Sequence, residues 1–75
     1  MKRYLAPELK GDLAGQLLRG DVLPAGNYNL RARQAPSGNW ELFVDGVAMR
    51  SGLTEAGVLR VAAHLREAFT VERFR

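Results

Sequence analysis

The stretch Asn27–Leu65, NYNLRARQAPSGNWELFVDGVAMRSGLTEAGVLRVAAHL, decides the fold of this chain. Apolar and polar residues alternate with a period of two on both sides of Pro36–Asn39, and this alternation is typical of half-buried strands. After Thr54 the apolar residues recur at helical spacing instead. The pattern therefore predicts a β-hairpin that is followed by one amphipathic helix.

The hairpin has one predicted inner face but two possible registers. Because neighbouring residues of a strand point to opposite faces, one face collects Leu30, Ala32, Leu42 and Val44. A loop at Ser37–Asn39 and a loop at Ala35–Asn39 both preserve that face. The first loop pairs Arg33 with Phe43, and the second pairs Arg33 with Glu41. The sequence leaves both registers open.

A second turn and a helix complete the stretch. Asp45-Gly46 favours a tight hairpin turn, so a short third strand is expected at Val47–Arg50. Thr54 suits the N-cap of the helix, and Glu55 suits its first turn. The apolar helix face is expected to lie on the inner face of the hairpin, over Trp40, and it comprises Val58, Val61, Ala62, Leu65 and Phe69.

The N-terminal part predicts a weaker helix over Pro7–Arg19, with Gly20 as its stop. Gly11 and Gly15 each lower its stability by ~1 kcal/mol relative to alanine. Residues 20–26 are expected to form a loop, because Pro24 and Gly26 are typical of turns.

The expected fold class is α+β: an N-terminal helix, a two- or three-stranded antiparallel hairpin or meander, and a C-terminal amphipathic helix packed on the sheet. The 75 residues suffice for one small domain. Residues 1–6 and 70–75 are candidate flexible tails, and a short added strand is the alternative for the second of them.

Composition restricts the chemistry. The chain has no cysteine and one histidine, so we expect no disulfide, no metal site and no cofactor. His64 shares a helix face with Arg60 and Glu67, which is typical of an exposed face with mixed charges, and no catalytic motif is present. No apolar run approaches the ~18 residues of a membrane span. We therefore expect a cytoplasmic protein that is not an enzyme and has no membrane partner.

Arginine dominates the basic residues, with nine arginines and two lysines in a chain of net charge +3. Arg31, Arg33, Phe43 and Arg50 are predicted to share the outer face of the hairpin. Guanidinium groups beside an aromatic ring form a platform for a partner or for nucleic acid. The same groups also form internal cation–π contacts, so both interpretations stay open. A second candidate contact segment is the N-terminal group Lys2, Arg3 and Tyr4.

The opening residues MKRYLAPEL (1–9), the small basic chain and the helix–hairpin–helix layout together resemble the small transcription regulators of lytic phages, of the Xanthomonas phage type, that bind host RNA polymerase. The resemblance implies binding to the N-terminal region of the polymerase β′ subunit. It also implies inhibition of host promoter initiation, and antitermination near the RNA exit channel. It rests on size, charge and layout over the whole chain, and it assigns no functional residue.

The leading functional hypothesis is therefore a non-enzymatic regulatory protein, phage-encoded and acting on RNA polymerase in the host cytoplasm. One alternative is a protein that binds DNA or RNA directly through the basic sheet face. Another is a small subunit of an assembly such as a toxin–antitoxin complex, with the glycine-bearing first helix as the contact surface.

Overall fold

A computed structural model of the chain describes residues 8–73. Its elements are α1 (Gly11–Leu18), β1 (Leu23–Ala25), β2 (Tyr28–Gln34), β3 (Trp40–Val44), β4 (Val47–Leu53) and α2 (Glu55–Arg73). All neighbouring strands pair antiparallel, and the sheet order is β1-β2-β3-β4. The α+β class is confirmed, with α2 packed on the sheet and with one strand more than the sequence predicts.

The β2–β3 hairpin adopts the longer of the two predicted loops. Arg31 pairs with Phe43 and Arg33 pairs with Glu41, which leaves Ala35–Asn39 as the connection. Two backbone hydrogen bonds close this loop: the Ala35 N–H donates to the Asn39 carbonyl at 2.7 Å, and the Gly38 N–H donates to the Ala35 carbonyl at 2.8 Å. The predicted inner face is confirmed, because all four of its residues are buried.

Helix α2 begins as the sequence predicts. The Gly57 N–H donates to the Thr54 hydroxyl oxygen at 2.9 Å, so Thr54 satisfies one of the N–H groups that the first turn leaves unpaired. Val58 and Ala62 then lie fully buried against the sheet. The core is entirely apolar and consists of Leu9, Leu17, Leu23, Ala25, Leu30, Ala32, Trp40, Leu42, Val44, Val58, Leu59, Ala62 and Ala63.

The predicted start of the first helix is wrong. Pro7 lies outside the described residues, and α1 begins only at Gly11, whose φ is 60°. A helix that ran through Gly11 would need a negative φ there. The residues before it pack on α2 instead: Leu9 is buried, and its N–H donates to the Leu59 carbonyl at 3.4 Å.

The predicted stop at Gly20 is confirmed. Gly20 has a φ of 89°, and two hydrogen bonds cap the last carbonyls of α1. The Asp21 N–H donates to the Gln16 carbonyl at 3.1 Å, and the Gly20 N–H donates to the Leu17 carbonyl at 3.0 Å. This is the Schellman arrangement, which favours glycine because the residue must be left-handed.

The prediction of a loop over residues 20–26 is wrong in part, because Leu23–Ala25 forms β1. Leu23 pairs with Leu30, and both are buried. Proline lacks an N–H donor, so it is tolerated in a strand mainly at the edge of a sheet, and Pro24 occupies such an edge. The strand is therefore held by its neighbour β2 and by the core.

The alternative of a short added strand after residue 70 is wrong where the structure describes it, because α2 continues without interruption to Arg73. Phe74 and Arg75 lie outside the described residues, as does the predicted tail 1–6. Phe69 anchors the last turns: its ring centroid lies 4.4 Å from that of Tyr28. A Cβ on Gly26 would lie 2.7 Å from the Phe69 carbonyl carbon, so glycine is required where the β1–β2 turn meets α2.

Candidate functional site

The outer face of the sheet carries an open groove of about 440 Å³. We call it the arginine groove. Arg31 and Arg33 project from β2 on this face. Phe43 projects from the neighbouring strand β3, where the register pairs it directly with Arg31. Its lining residues are Arg19, Gly20, Arg31, Ala32, Arg33, Phe43 and Gly46.

Arg33 is held by a carboxylate and lies over an aromatic ring. Its Nε and Nη2 donate to Oε1 of Glu41 at 3.1 and 2.8 Å. Its guanidinium carbon lies 5.8 Å from the centroid of the Phe43 ring, within the range of a cation–π contact. The Arg33 side chain is nevertheless 68% exposed. The internal contact is therefore formed, and much of the group still faces solvent.

The other two arginines are anchored in the same way, through the Nε side. Arg31 donates from Nε to the Gly20 carbonyl at 3.2 Å. Arg19 donates from Nε and Nη2 to Oδ2 of Asp21, at 3.3 and 3.2 Å. Each anchor restricts the guanidinium orientation before any partner arrives, which lowers the entropy lost on binding. Sequence reasoning missed Arg19, because the end of α1 reaches this face only through the fold.

The groove is close to electrically neutral. Two of its three guanidinium groups, those of Arg19 and Arg33, pair with the carboxylates of Asp21 and Glu41. A third carboxylate, that of Asp45, precedes the lining residue Gly46 in the chain, and its Oδ1 accepts the Asn29 N–H at 2.9 Å. The basic character that the sequence suggests for this face is therefore largely compensated within the protein.

Arg50, the fourth residue predicted for this face, does not line the groove. The β3–β4 register is irregular between Trp40 and Phe43, so that Ala48 lies opposite Phe43 and Arg50 lies opposite the inner-face residue Leu42. The bulges responsible insert extra residues into β4 and shift the alternation of its side chains. The placement of Arg50 on the outer face was therefore wrong. Lys2, Arg3 and Tyr4 lie outside the described residues.

A second groove runs between the segment before α1 and the end of α2. It mixes apolar and charged residues: Glu8, Leu9, Lys10, Leu13, Ala63, Arg66, Glu67, Thr70 and Val71. Within residues 8–73 the buried Nε of Arg66 has no hydrogen-bond partner, which is uncommon for a buried donor. No local pattern predicts this groove, because it depends on how Leu9 packs against α2.

Residues suited to metal binding are dispersed in the described part of the chain. His64 is exposed on α2. Over residues 8–73, no three histidine or acidic side chains lie close enough to hold a metal ion. In the same range, neither helix is long and apolar enough to cross a membrane.

Comparisons of the chain with protein-family models, with curated protein sequences and with solved structures find no match. The site is therefore interpreted from its own geometry.

Proposed function

We propose that the chain is a non-enzymatic regulatory protein that docks on another protein through the arginine groove. The observation that carries this proposal is the arrangement of three exposed, anchored guanidinium groups around one half-buried aromatic ring. Arginine and aromatic residues are enriched where protein interfaces bind most tightly. A partner that covers Phe43 would remove apolar surface from water and strengthen the ion pairs at the rim by excluding solvent.

The near-neutral charge of the groove favours a protein partner over nucleic acid. Phosphate backbones are bound through an excess of positive charge. Here Asp21 and Glu41 already occupy Arg19 and Arg33. A protein surface with both acidic and apolar groups fits such a compensated rim better than a polyanion does.

The proposed partner is host RNA polymerase, through its β′ subunit, and the protein is proposed to be phage-encoded. The support for this part is the resemblance in size, charge and layout to the small polymerase-binding regulators of lytic phages. A protein that acts on a large enzyme in this way requires only a contact surface. Its effect on initiation or termination would follow from what it excludes or holds in place.

The test is a binding measurement with purified bacterial RNA polymerase and its isolated β′ N-terminal region. We expect a one-to-one complex with the wild-type chain and at least a tenfold weaker one with Phe43→Ala. Arg60→Ala is the matched control, because Arg60 is exposed on α2 and lies outside the groove. If the chain binds neither target, polymerase is excluded as the partner. If Phe43→Ala binds as tightly as the wild type, the groove is excluded as the binding surface.

One observation favours a second candidate, direct binding of single-stranded nucleic acid. Among the described residues no carboxylate pairs with Arg31, and Arg31 lies beside Phe43. A cation next to an aromatic face is the combination that binds a phosphate and a stacked base.

The salt dependence of binding separates the two candidates. If Arg31 alone contacts a phosphate, log K falls with log salt with a slope of about −0.7, and three contacting arginines give about −2. A slope in this range with RNA, together with no affinity for polymerase, would support the second candidate. Undetectable RNA binding at low salt would exclude it.

A further inference from the structure

The three arginines of the arginine groove differ in how their charge is balanced. Two of them, Arg19 and Arg33, each pair with a carboxylate of the protein. Arg31 donates to a neutral group instead, the Gly20 carbonyl, at 3.2 Å. Within residues 8–73 no carboxylate pairs with Arg31. The uncompensated positive charge of the groove therefore lies at this one side chain.

The guanidinium of Arg31 keeps a complete edge for a planar anion. A guanidinium presents its N–H donors on two edges, one formed by Nε with one Nη group and the other formed by both Nη groups. Among the described residues, an acceptor is present only for Nε of Arg31. The Arg31 side chain is exposed, so its Nη1–Nη2 edge is free for a ligand. The carbonyl that holds Nε restricts the orientation of that edge before a ligand arrives.

An aromatic ring lies directly beside this guanidinium. Phe43 is the cross-strand partner of Arg31, and side chains in such a pair have Cβ atoms about 5 Å apart. The Phe43 ring is half-buried, and the guanidinium carbon of Arg33 lies 5.8 Å from its centroid. An anionic group that binds Arg31 consequently brings its neighbouring atoms close to the exposed part of an apolar ring.

We propose that the groove binds a single carboxylate of the protein partner, end-on at the Nη1–Nη2 edge of Arg31, with an apolar side chain of the same partner segment against Phe43. The inference rests on the proposed function, and it names the chemistry that the partner must present. Arginine–carboxylate pairs of this geometry are bidentate and charge-assisted. A partner segment in which Glu or Asp adjoins a large apolar residue supplies both groups.

The charges of the groove favour one carboxylate over a chain of phosphates. Arg19 and Arg33 line the same groove, and their charges are already compensated by carboxylates. Nucleic acid brings successive phosphates, and the second and third of these would meet protein carboxylates of like charge. A protein surface can offer one carboxylate among apolar groups. One uncompensated cation at Arg31 therefore matches a single anion.

NMR titration of the complete, isotope-labelled chain with capped dipeptides tests the proposal. The probe is acetyl-Glu-Phe-amide, whose one charge is the side-chain carboxylate, and acetyl-Gln-Phe-amide is its neutral counterpart of the same shape. We expect the Glu probe to bind about fivefold more tightly than the Gln probe, as suits an exposed ion pair, and to shift the Nε–H signal of Arg31. Equal binding of the two probes, or no binding of either at millimolar concentration, would overturn the proposal.

Variants of Arg31 test where and how the carboxylate binds. Arg31→Gln should abolish the preference for the Glu probe. Arg31→Lys should retain only part of it, because lysine keeps the charge and loses the planar edge. Arg60→Gln is the matched control, since Arg60 is exposed on α2, and it should keep the full preference. A preference that survives in Arg31→Gln would assign the carboxylate to Arg19 or Arg33, and a full preference in Arg31→Lys would contradict the bidentate geometry.

A phosphate probe and polymerase separate this contact from the other assignments. A uridine dinucleotide, which carries one phosphodiester, should bind more weakly than the Glu probe, and tighter binding would overturn the choice of a carboxylate. Arg31→Gln should also weaken the complex with polymerase by about fivefold. If polymerase binds Arg31→Gln and the wild type equally, the carboxylate contact is wrong and the docking function stands. If the Glu preference is present and polymerase does not bind, the contact stands and polymerase is excluded.

Discussion

The two faces of the sheet differ in what holds them together. On the inner face, Leu30 and Leu42 are completely buried and contribute through apolar burial and packing. On the outer face, the Arg33 side chain is 68% exposed, and its contacts are an ion pair and a cation–π contact. Exposed ion pairs contribute little to stability, whereas buried leucines contribute several kcal/mol. The inner face therefore accounts for folding, and the outer face remains free to change without loss of the fold.

The largest difference between the two faces of the sheet is expected at Leu42 and Phe43, neighbouring residues of β3 whose side chains point to opposite faces. Leu42→Ala should lower the free energy of unfolding by about 3 kcal/mol, because it leaves a cavity under α2. Phe43→Ala should lower it by less than half as much, since the ring is only partly buried. Urea denaturation measures both values. Equal losses would mean that the outer face contributes to folding as strongly as the inner face.

The next effect concerns the contact between the β1–β2 turn and α2. Gly26→Ala should destabilise the protein by about 2 kcal/mol or more, because the new methyl group adds a clash with Phe69 to the cost of a positive φ. Gly38→Ala is the control: Gly38 has a φ of 96° and open space around it. Thermal denaturation of the two variants separates the clash from the backbone strain. Similar melting temperatures would show that the turn does not press on α2.

A smaller effect is expected at the start of α2, on the inner side. Thr54→Ala removes the oxygen that accepts the Gly57 N–H and should lower the free energy of unfolding by ~1 kcal/mol. Thr54→Ser keeps that oxygen and should restore most of the loss. If serine is as destabilising as alanine in urea denaturation, the cap is not the source of the effect.

The smallest effect is expected on the outer face itself. The coupling between Arg33 and Glu41, measured with a double-mutant cycle of alanine variants, should be below about 1 kcal/mol in the unfolding free energy. The single variants should weaken partner binding far more than they weaken the fold. A coupling energy above 2 kcal/mol would make the ion pair a structural element, and the contrast between the faces would disappear.

The sequence predicts the parts of this fold that depend on local pattern. Alternation identifies the inner face around Leu42, and the N-cap preference of Thr54 places the start of α2. The sequence does not predict β1, because three residues that include Pro24 have no periodicity of their own. It also misses the true start of α1, which depends on Leu9 packing against a helix that lies fifty residues further along the chain.

The candidate site, too, is predicted by local pattern only in part. The pairing of Arg31, Arg33 and Phe43 on one face follows from alternation alone, and the structure brings these residues together. Arg19 joins them because the chain passes from α1 to the sheet edge beside β2, which no local pattern reveals. Arg50 does not join this group, because bulges in β4 change the face on which the residues of that strand lie. A regular alternation in the sequence does not reveal a bulge.

The Gly20 carbonyl, left free by the Schellman turn, accepts the hydrogen bond from Nε of Arg31. One oxygen atom at the end of α1 thus determines how a guanidinium in the groove is aimed. Any event that shifts or unwinds α1, such as contact with a larger surface, would release this side chain to new acceptors. The end of α1 and the groove are therefore linked through this one hydrogen bond.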